Sequence, residues 1–316
     1  VTPLRDPRLL VVALGGRALR AAGHRAVGPG AWLGALERCL PPLADVAVAG
    51  FRLVVAHDGE SPEDRGRRAD GSRRADPPLS LDVRGAQVQG ALGYAIQQAL
   101  ANLCRRRGVD VPIAAVVTRV GVDADDPAFG RPSRPVGPAY SATQARRLER
   151  ERGWSFAGSA ARGHRRVVPV PRPRRLLDAD ALRRLSSTGV LVAAGAGRVP
   201  TIETPDGHRG VEAILQPDTT AALLGTALGA DRLVFLTGVD RVEVAHRTPR
   251  AIAVERLSVA EARAFLMASE FPSGSMGPKI EAAIDFVQSG GREAIITSLS
   301  SLVAALDGRE GTRIVP

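Results

Sequence analysis

The sequence predicts an α/β protein built on a mostly parallel sheet with helices on both faces. Two observations carry that expectation. Short runs that are apolar throughout recur along the chain, and amphipathic helical patterns fall between them. A strand that is apolar on both faces has to be covered on both faces, and alternation with helices supplies the cover. With 316 residues, 44% of them hydrophobic, the chain can bury a substantial core as one large domain or two lobes.

Strands are expected at 9–14, 53–56, 113–117, 190–194, 233–236 and 294–297. The first run, LLVVALGG (9–16), follows Arg5 and Arg8 as the core of a signal segment would. It is too short for one and RALRAAGHR follows at once, so it reads as a buried strand. No stretch approaches the roughly 20 apolar residues of a membrane helix. In 83–104, Val88, Leu92, Ile96, Leu100 and Leu103 recur at three- and four-residue spacing, which gives a helix one apolar stripe. Segments 218–229, 258–269 and 278–289 have the same pattern. In 199–215, Pro205, Asp206 and Gly207 separate alternating runs, which predicts a β-hairpin. Residues 58–78 are polar and charged and are expected to form a mobile loop. The Pro/Gly-rich stretch 123–138 begins an excursion from the sheet that returns near 166–173.

Composition excludes several classes of function. The formal charge is +10, but aromatics are only 3% and no zinc-finger or RNA-recognition signature is present. Single-strand binding needs stacking platforms, so small anionic ligands suit this charge better than nucleic acid. Cys39 and Cys104 are the only cysteines, without CxxC or metal-ligand spacing, which fits a reducing cytosol and assigns no protein-held metal site. Walker A, HExxH and GxSxG motifs are absent, and the five histidines are scattered. Among 43 basic residues, Lys279 is the only lysine.

In doubly wound sheets, ligands collect at the carboxyl ends of strands. Gly15 and Gly16 follow the first strand, where backbone amides can approach an anion; Gly195 and Gly197 follow another. The LTGVDRV run puts Thr237, Gly238, Val239 and Asp240 after a third strand, placed to hold a ribose or to cap the next element. Asp218 and Thr219 are N-cap candidates for the 218–229 helix. In SGSMGPK, Ser273, Ser275 and Met276 precede a helix with Pro278 at its start, so Lys279 falls in the first turn. A cation there opposes the helix dipole unless an anion binds beside it.

Together these motifs resemble the carbamate kinase family, within the amino acid kinase fold. The resemblance runs from VVALGG through QGALGYAIQQAL, VVTRVGVDADDPAF, ARGHRRVVP, VLVAAGAGRVP, GADRLVFLTGVDRV and GSMGPKIEAAIDF to AIITSL and EGTRIV. It implies a three-layer α/β/α sandwich with a mostly parallel, doubly wound sheet and a small protruding subdomain around 123–170. It further implies a substrate-side lobe (1–200), a nucleotide-binding lobe (201–316) and a homodimer. The implied reaction is reversible phosphoryl transfer from ATP to carbamate, giving ADP and carbamoyl phosphate, with magnesium.

The resemblance assigns Lys279 to phosphate clamping, Asp218 to orienting that region and Arg134 to substrate or phosphate. Gly15, Gly16, Arg17, His57, Gly195 and Gly197 fall on the substrate and phosphate side. Thr237, Gly238, Val239, Asp240, Ser275 and Met276 fall on the nucleotide side. Several positions depart from the family pattern. Arg17 replaces the asparagine of Gly-Gly-Asn, Asp58 follows His57 where the family has glycine, and Arg134 replaces a lysine. A four-glycine strand end becomes Gly195-Ala196-Gly197-Arg198, and Asp-Lys-Asp becomes Gln216-Pro217-Asp218. Two readings follow: a phosphotransferase with a rebuilt site in which Arg17 or Arg198 supplies missing charge, or a catalytically silent, nucleotide-binding relative.

Overall fold

The structure is a computed structural model that describes residues 9–16, 18, 29–58, 79–159, 163–189, 191–245, 251–271 and 276–316. The chain begins with β1 (Leu9–Gly15), α1 (Pro29–Cys39), α2 (Pro41–Val48), β2 (Arg52–Asp58), α3 (Leu81–Arg106) and β3 (Ile113–Val116). It continues through β4 (Val120–Gly121), a 3-10 turn (Pro127–Gly130), β5 (Arg134–Tyr140), α4 (Ala142–Arg152), β6 (Ser155–Ser159) and β7 (Gly163–Val168). Next come β8 (Arg175–Leu176), α5 (Ala179–Ser187), β9 (Leu191–Gly195), β10 (Pro200–Thr204), β11 (Gly207–Gly210) and α6 (Pro217–Leu228). The remainder holds β12 (Arg232–Thr237), β13 (Val242–Val244), β14 (Ile252–Val254), β15 (Arg256–Ser258), α7 (Val259–Met267) and α8 (Gly277–Gln288). Strand β16 (Glu293–Ser298), α9 (Leu302–Leu306) and β17 (Thr312–Val315) complete it.

All six expected strands and all four expected helices are present, and the six strands join β15 and β17 in one sheet of eight, in the order β15-β17-β16-β12-β1-β2-β9-β3. Every neighbouring pair is parallel except β16 with β17. Side chains alternate across the sheet, so each apolar strand feeds two cores. On one face Val11, Val54, Val192 and Phe235 pack against Leu182, Leu224, Ile280 and Phe286 from α5, α6 and α8. On the other, Val12, Val55, Ala193 and Val234 pack against Leu36, Leu43, Ile96, Leu100 and Leu302 from α1, α2, α3 and α9. The result is three layers, α/β/α.

The expected hairpin forms, with β10 and β11 antiparallel around the turn after Thr204. The excursion carries an antiparallel sheet, β5-β7-β6, with α4 beside it. A capping box of Ser141 and Gln144 starts α4, and left-handed Gly153 ends it. Arg166 of β7 lies 4.1 Å from the Trp154 ring centre and pairs with Glu212 at 2.5 Å. The other Glu212 oxygen accepts from Leu81 N at 3.0 Å, so one carboxylate ties the excursion to the start of α3. The loop expected at 58–78 lies, from residue 59 onward, outside the described residues.

Candidate active site at the carboxyl edge of the sheet

From β1 the sheet grows towards β2, β9 and β3 on one side and towards β12 and β16 on the other. This change of direction is where parallel sheets open a crevice beyond the strand ends. Register puts Gly15 beside Asp58, His57 beside Gly195, and Thr237 beside Ser298 along that edge.

Lys279 lies in the first turn of α8 and Asp218 in the first turn of α6. The Lys279 Nζ donates to both Asp218 oxygens, at 2.8 and 2.9 Å. The two side chains are only 12% and 16% exposed. The helices can bring them together because Gly225 of α6 leaves room for the Phe286 ring of α8; a Cβ there would sit 3.0 Å from the ring. The carboxylate favours its own helix N-terminus and offsets the unfavourable placement of the ammonium at the other. The capping role considered for Asp218 and Thr219 does not hold. Gln216 occupies the N-cap without a side-chain cap bond, and Pro217 takes the first helical position, where its missing N–H costs nothing. Asp218 is therefore one position inside the helix, and its carboxylate goes to Lys279.

A second ion pair spans the ends of β2 and β9. Arg198 Nε donates to Asp58 Oδ1 at 2.8 Å, with side chains 13% and 20% exposed. The backbone around it is tightly held: Ala196 N donates to the His57 carbonyl at 2.9 Å and Leu215 N to the Gly197 carbonyl at 3.2 Å. A Cβ on Gly85 of α3 would overlap the Arg198 carbonyl, so α3 approaches this turn through a glycine. Gly197 turns the chain with φ +86°, a left-handed conformation suited to glycine. His57 itself is fully buried against Gly93, and burial pushes its pKa from 6.5 down to about 4. Its Nε2 has no hydrogen-bond partner among the described residues. The ring is neutral at ordinary pH and brings no positive charge to the edge.

A family model described as the amino acid kinase family matches residues 8–298. The carbamate kinase of Pyrococcus horikoshii is 36% identical over 319 residues, spanning 98% of this chain and 100% of that protein. The chain belongs to the carbamate kinase family. Carbamate kinase 2 of Enterococcus faecalis is likewise 36% identical, over 97% of this chain and 98% of its own length. The carbamate kinase structure from Giardia lamblia bound to AMP-PNP superposes with a TM-score of 0.89 at 31% identity, covering 98% of this chain and 99% of that one.

Asp58 and Arg198, two departures from the carbamate kinase pattern, are thus paired with one another by the fold. A third, Pro217, fits its helix start but carries neither charge nor donor. Gly195, expected near an anion, uses its missing side chain for packing: a Cβ there would overlap the Gln89 side chain. The Gln89 amide in turn accepts from Thr118 N at 2.8 Å and donates to Thr118 O at 3.3 Å, while the Thr118 hydroxyl donates to the Gly195 carbonyl. Sequence reasoning missed Gln89 and Thr118, since nothing in their spacing marks them.

Thr237 is buried at the end of β12, and Gly238 and Val239 are exposed beyond it. Asp240 Oδ1 accepts from the hydroxyls of Ser298 (2.5 Å) and Ser301 (2.7 Å), and these bonds hold its carboxyl below the usual range. Asp240 therefore anchors the turn after β12 to the turn after β16. Met276 is the N-cap of α8, and its carbonyl accepts from Lys279 N at 3.0 Å. Arg134 is exposed at the start of β5, and no hydrogen bond or ion pair among the described residues brings it to Lys279 or Asp218. Arg17, Ser273 and Ser275 lie outside the described residues.

Proposed function

We propose that this member of the carbamate kinase family transfers a phosphoryl group reversibly between ATP and carbamate, or a closely related carboxyl-bearing acceptor. The observation that carries the reading is the partly buried Lys279–Asp218 pair, which joins the first turns of two helices at the carboxyl edge of a parallel sheet. Phosphoryl transfer needs little covalent chemistry from the protein; it needs positioning and positive charge around the transferring group. An acceptor oxygen attacks the terminal phosphorus, the bond to the ADP oxygen breaks, and ADP leaves with the electron pair. Lys279 is assigned to the charge on the transferring group, with Asp218 holding the ammonium in place until phosphate arrives. The amides of Gly15 and Gly16 are assigned to the phosphate, and Arg134 and Arg17 to the acceptor side. The Thr237–Asp240 turn, Met276 and Ser275 are assigned to the nucleotide.

Among the described residues no group of three or more His, Cys, Asp or Glu could hold a metal unaided. Magnesium commonly binds through one or two carboxylates together with substrate phosphates, and Asp218 is the carboxylate available beside the phosphate-directed lysine. Magnesium bound there would neutralise phosphate charge. The reading includes a cytoplasmic homodimer, with residues 1–200 serving the acceptor and 201–316 the nucleotide.

The test is ATP formation from ADP and carbamoyl phosphate, run beside calorimetric nucleotide binding. Turnover that collapses in Lys279→Ala supports the proposal. Nucleotide binding without turnover in the wild-type protein would overturn it in favour of a silent relative.

A further inference from the structure

Helix α3 meets the carboxyl edge of the sheet along one stripe of its surface. Gly85, Gln89 and Gly93 are spaced by four residues, which puts them on one face of the helix, and all three are buried. A Cβ on Gly85 would overlap the Arg198 carbonyl in the turn after β9. One on Gly93 would press on Ala115 of β3 at 3.1 Å and on the His57 ring of β2 at 3.3 Å. Gln89 stands between these two close approaches and is 3% exposed. Its oxygen accepts from Thr118 N at 2.8 Å and its nitrogen donates to Thr118 O at 3.3 Å. Thr118 lies just beyond the end of β3 and is fully buried. With both its backbone groups held from α3, its hydroxyl donates to the carbonyl of Gly195, the last residue of β9. A Cβ on Gly195 would overlap the Gln89 amide, so the glycine and the glutamine are fitted to one another. A methionine could pack α3 on the sheet without burying an amide, whereas a satisfied polar network specifies one arrangement of its members.

We infer that Gln89 is a positioning residue for the proposed phosphotransfer: through Thr118 it fixes the Gly195–Gly197 turn, on the substrate side of the edge. The inference rests on the phosphotransfer reading for the role of that turn. Gln89 acts from behind the strand ends and through Thr118, so its contribution is to geometry. Displacing a reacting group by about 1 Å can cost about a hundredfold in rate. The effect also has a side. Thr237 ends β12 and Asp240 follows it, across β1 from β9, and these are the groups assigned to the nucleotide. ADP lacks the transferring phosphoryl group, so loosening the β9 end should slow transfer while leaving ADP binding as it was.

The experiment measures ATP formation from ADP and carbamoyl phosphate on the full chain carrying Gln89→Met, Thr118→Val, both together, or Thr118→Ser. Calorimetric ADP stoichiometry counts the folded sites, and each variant is assayed well below its melting temperature. Gln89→Met and Thr118→Val should each lower kcat per site about ten- to a hundredfold. The KM for ADP should stay within about twofold of wild type, which separates lost positioning from lost nucleotide binding. Gln89 acts through Thr118, so the double variant should be no slower than the slower single variant. Thr118→Ser keeps the hydroxyl and should keep kcat within about threefold of wild type. If Gln89→Met does not fold, the contrast between Thr118→Val and Thr118→Ser carries the test. A purely structural network would lower melting temperatures and leave kcat per folded site unchanged. An active wild-type protein whose variants behave in that way, or lose ADP affinity as steeply as kcat, overturns the inference and leaves the activity standing. A wild-type protein that binds ADP without turnover overturns the activity, and the inference with it.

Discussion

Replacing Lys279 by methionine keeps most of the side-chain volume and removes the ammonium that Asp218 holds at 2.8 and 2.9 Å. Two effects follow, and the structure lets them be separated. Asp218 is left as an unpaired carboxylate with a side chain 16% exposed. Breaking a buried pair from one side costs about 3–5 kcal/mol, and the residual solvent contact here favours the lower end, about 3 kcal/mol. Urea unfolding should register that loss, and adding Asp218→Asn should return most of it, since the stranded charge is then gone. The catalytic effect does not return. A cation about 4 Å from a phosphate oxygen is worth about 4 kcal/mol at an effective dielectric near 20, so kcat should fall about a thousandfold. The assay is ATP formation from ADP and carbamoyl phosphate, on Lys279→Met and on the Lys279→Met/Asp218→Asn double variant. A stable double variant that turns over at the wild-type rate would refute the phosphate role and leave the pair as architecture.

Three further outcomes are expected. Pro217→Lys places a second ammonium at the first position of α6, beside Asp218, and should raise kcat about tenfold at a stability cost of about 0.5 kcal/mol; unchanged turnover in a folded variant would count against a shortage of charge there. His57 is neutral in the fold and titrates near 4 rather than 6.5, so below pH 6.5 the unfolded chain binds the extra proton. Stability should therefore be full above 6.5 and fall by about 3 kcal/mol as the pH drops to about 4, and His57→Asn should flatten that part of the curve; an equally steep variant would exclude His57 as the source. Gly85→Ala would normally favour a helix by about 1 kcal/mol. Here its Cβ overlaps the Arg198 carbonyl, so the variant should be destabilised by about 2 kcal/mol and bind AMP-PNP more weakly; a rise in melting temperature would show that the approach is not tight.

The central sheet was legible because its strands are buried on both faces and read as unbroken apolar runs, as β1 and β12 do. The outer strands β15 and β17 are short, and their Arg256 and Arg313 interrupt the apolar pattern that marks the central strands. The excursion was visible only as a Pro/Gly-rich departure and return, since β5 to β7 carry exposed polar residues and a register shift between Val136 and Ala139. Lys279 could be placed at a helix start from Pro278 alone, but its partner lies 61 residues away and no local signal joins them. In the sequence Asp58 stands out only as an acid where the family has glycine. The fold brings Arg198, 140 residues on, to within 2.8 Å of it, a pairing with no local signal.

A chain that uses arginine at every other basic position but lysine at 279 invites a chemical explanation. An arginine fork locks onto a carboxylate in a fixed plane, whereas a lysine ammonium is a compact point charge on a flexible stem with three rotatable donors. Arg198 is held in one place, because its turn is pinned by backbone bonds and by the close approach of α3, and its guanidinium is fixed by Asp58. Lys279 has to behave differently if phosphate is to arrive and leave. It must keep Asp218 company when the site is empty and then share its charge with a group that enters from solvent. The Nζ can pivot between carboxylate and phosphate without rebuilding a planar pair of bonds. On the proposed phosphotransfer, the guanidinium of Arg198 stays with its carboxylate while the ammonium of Lys279 would change partners, and that requirement would account for lysine at this position.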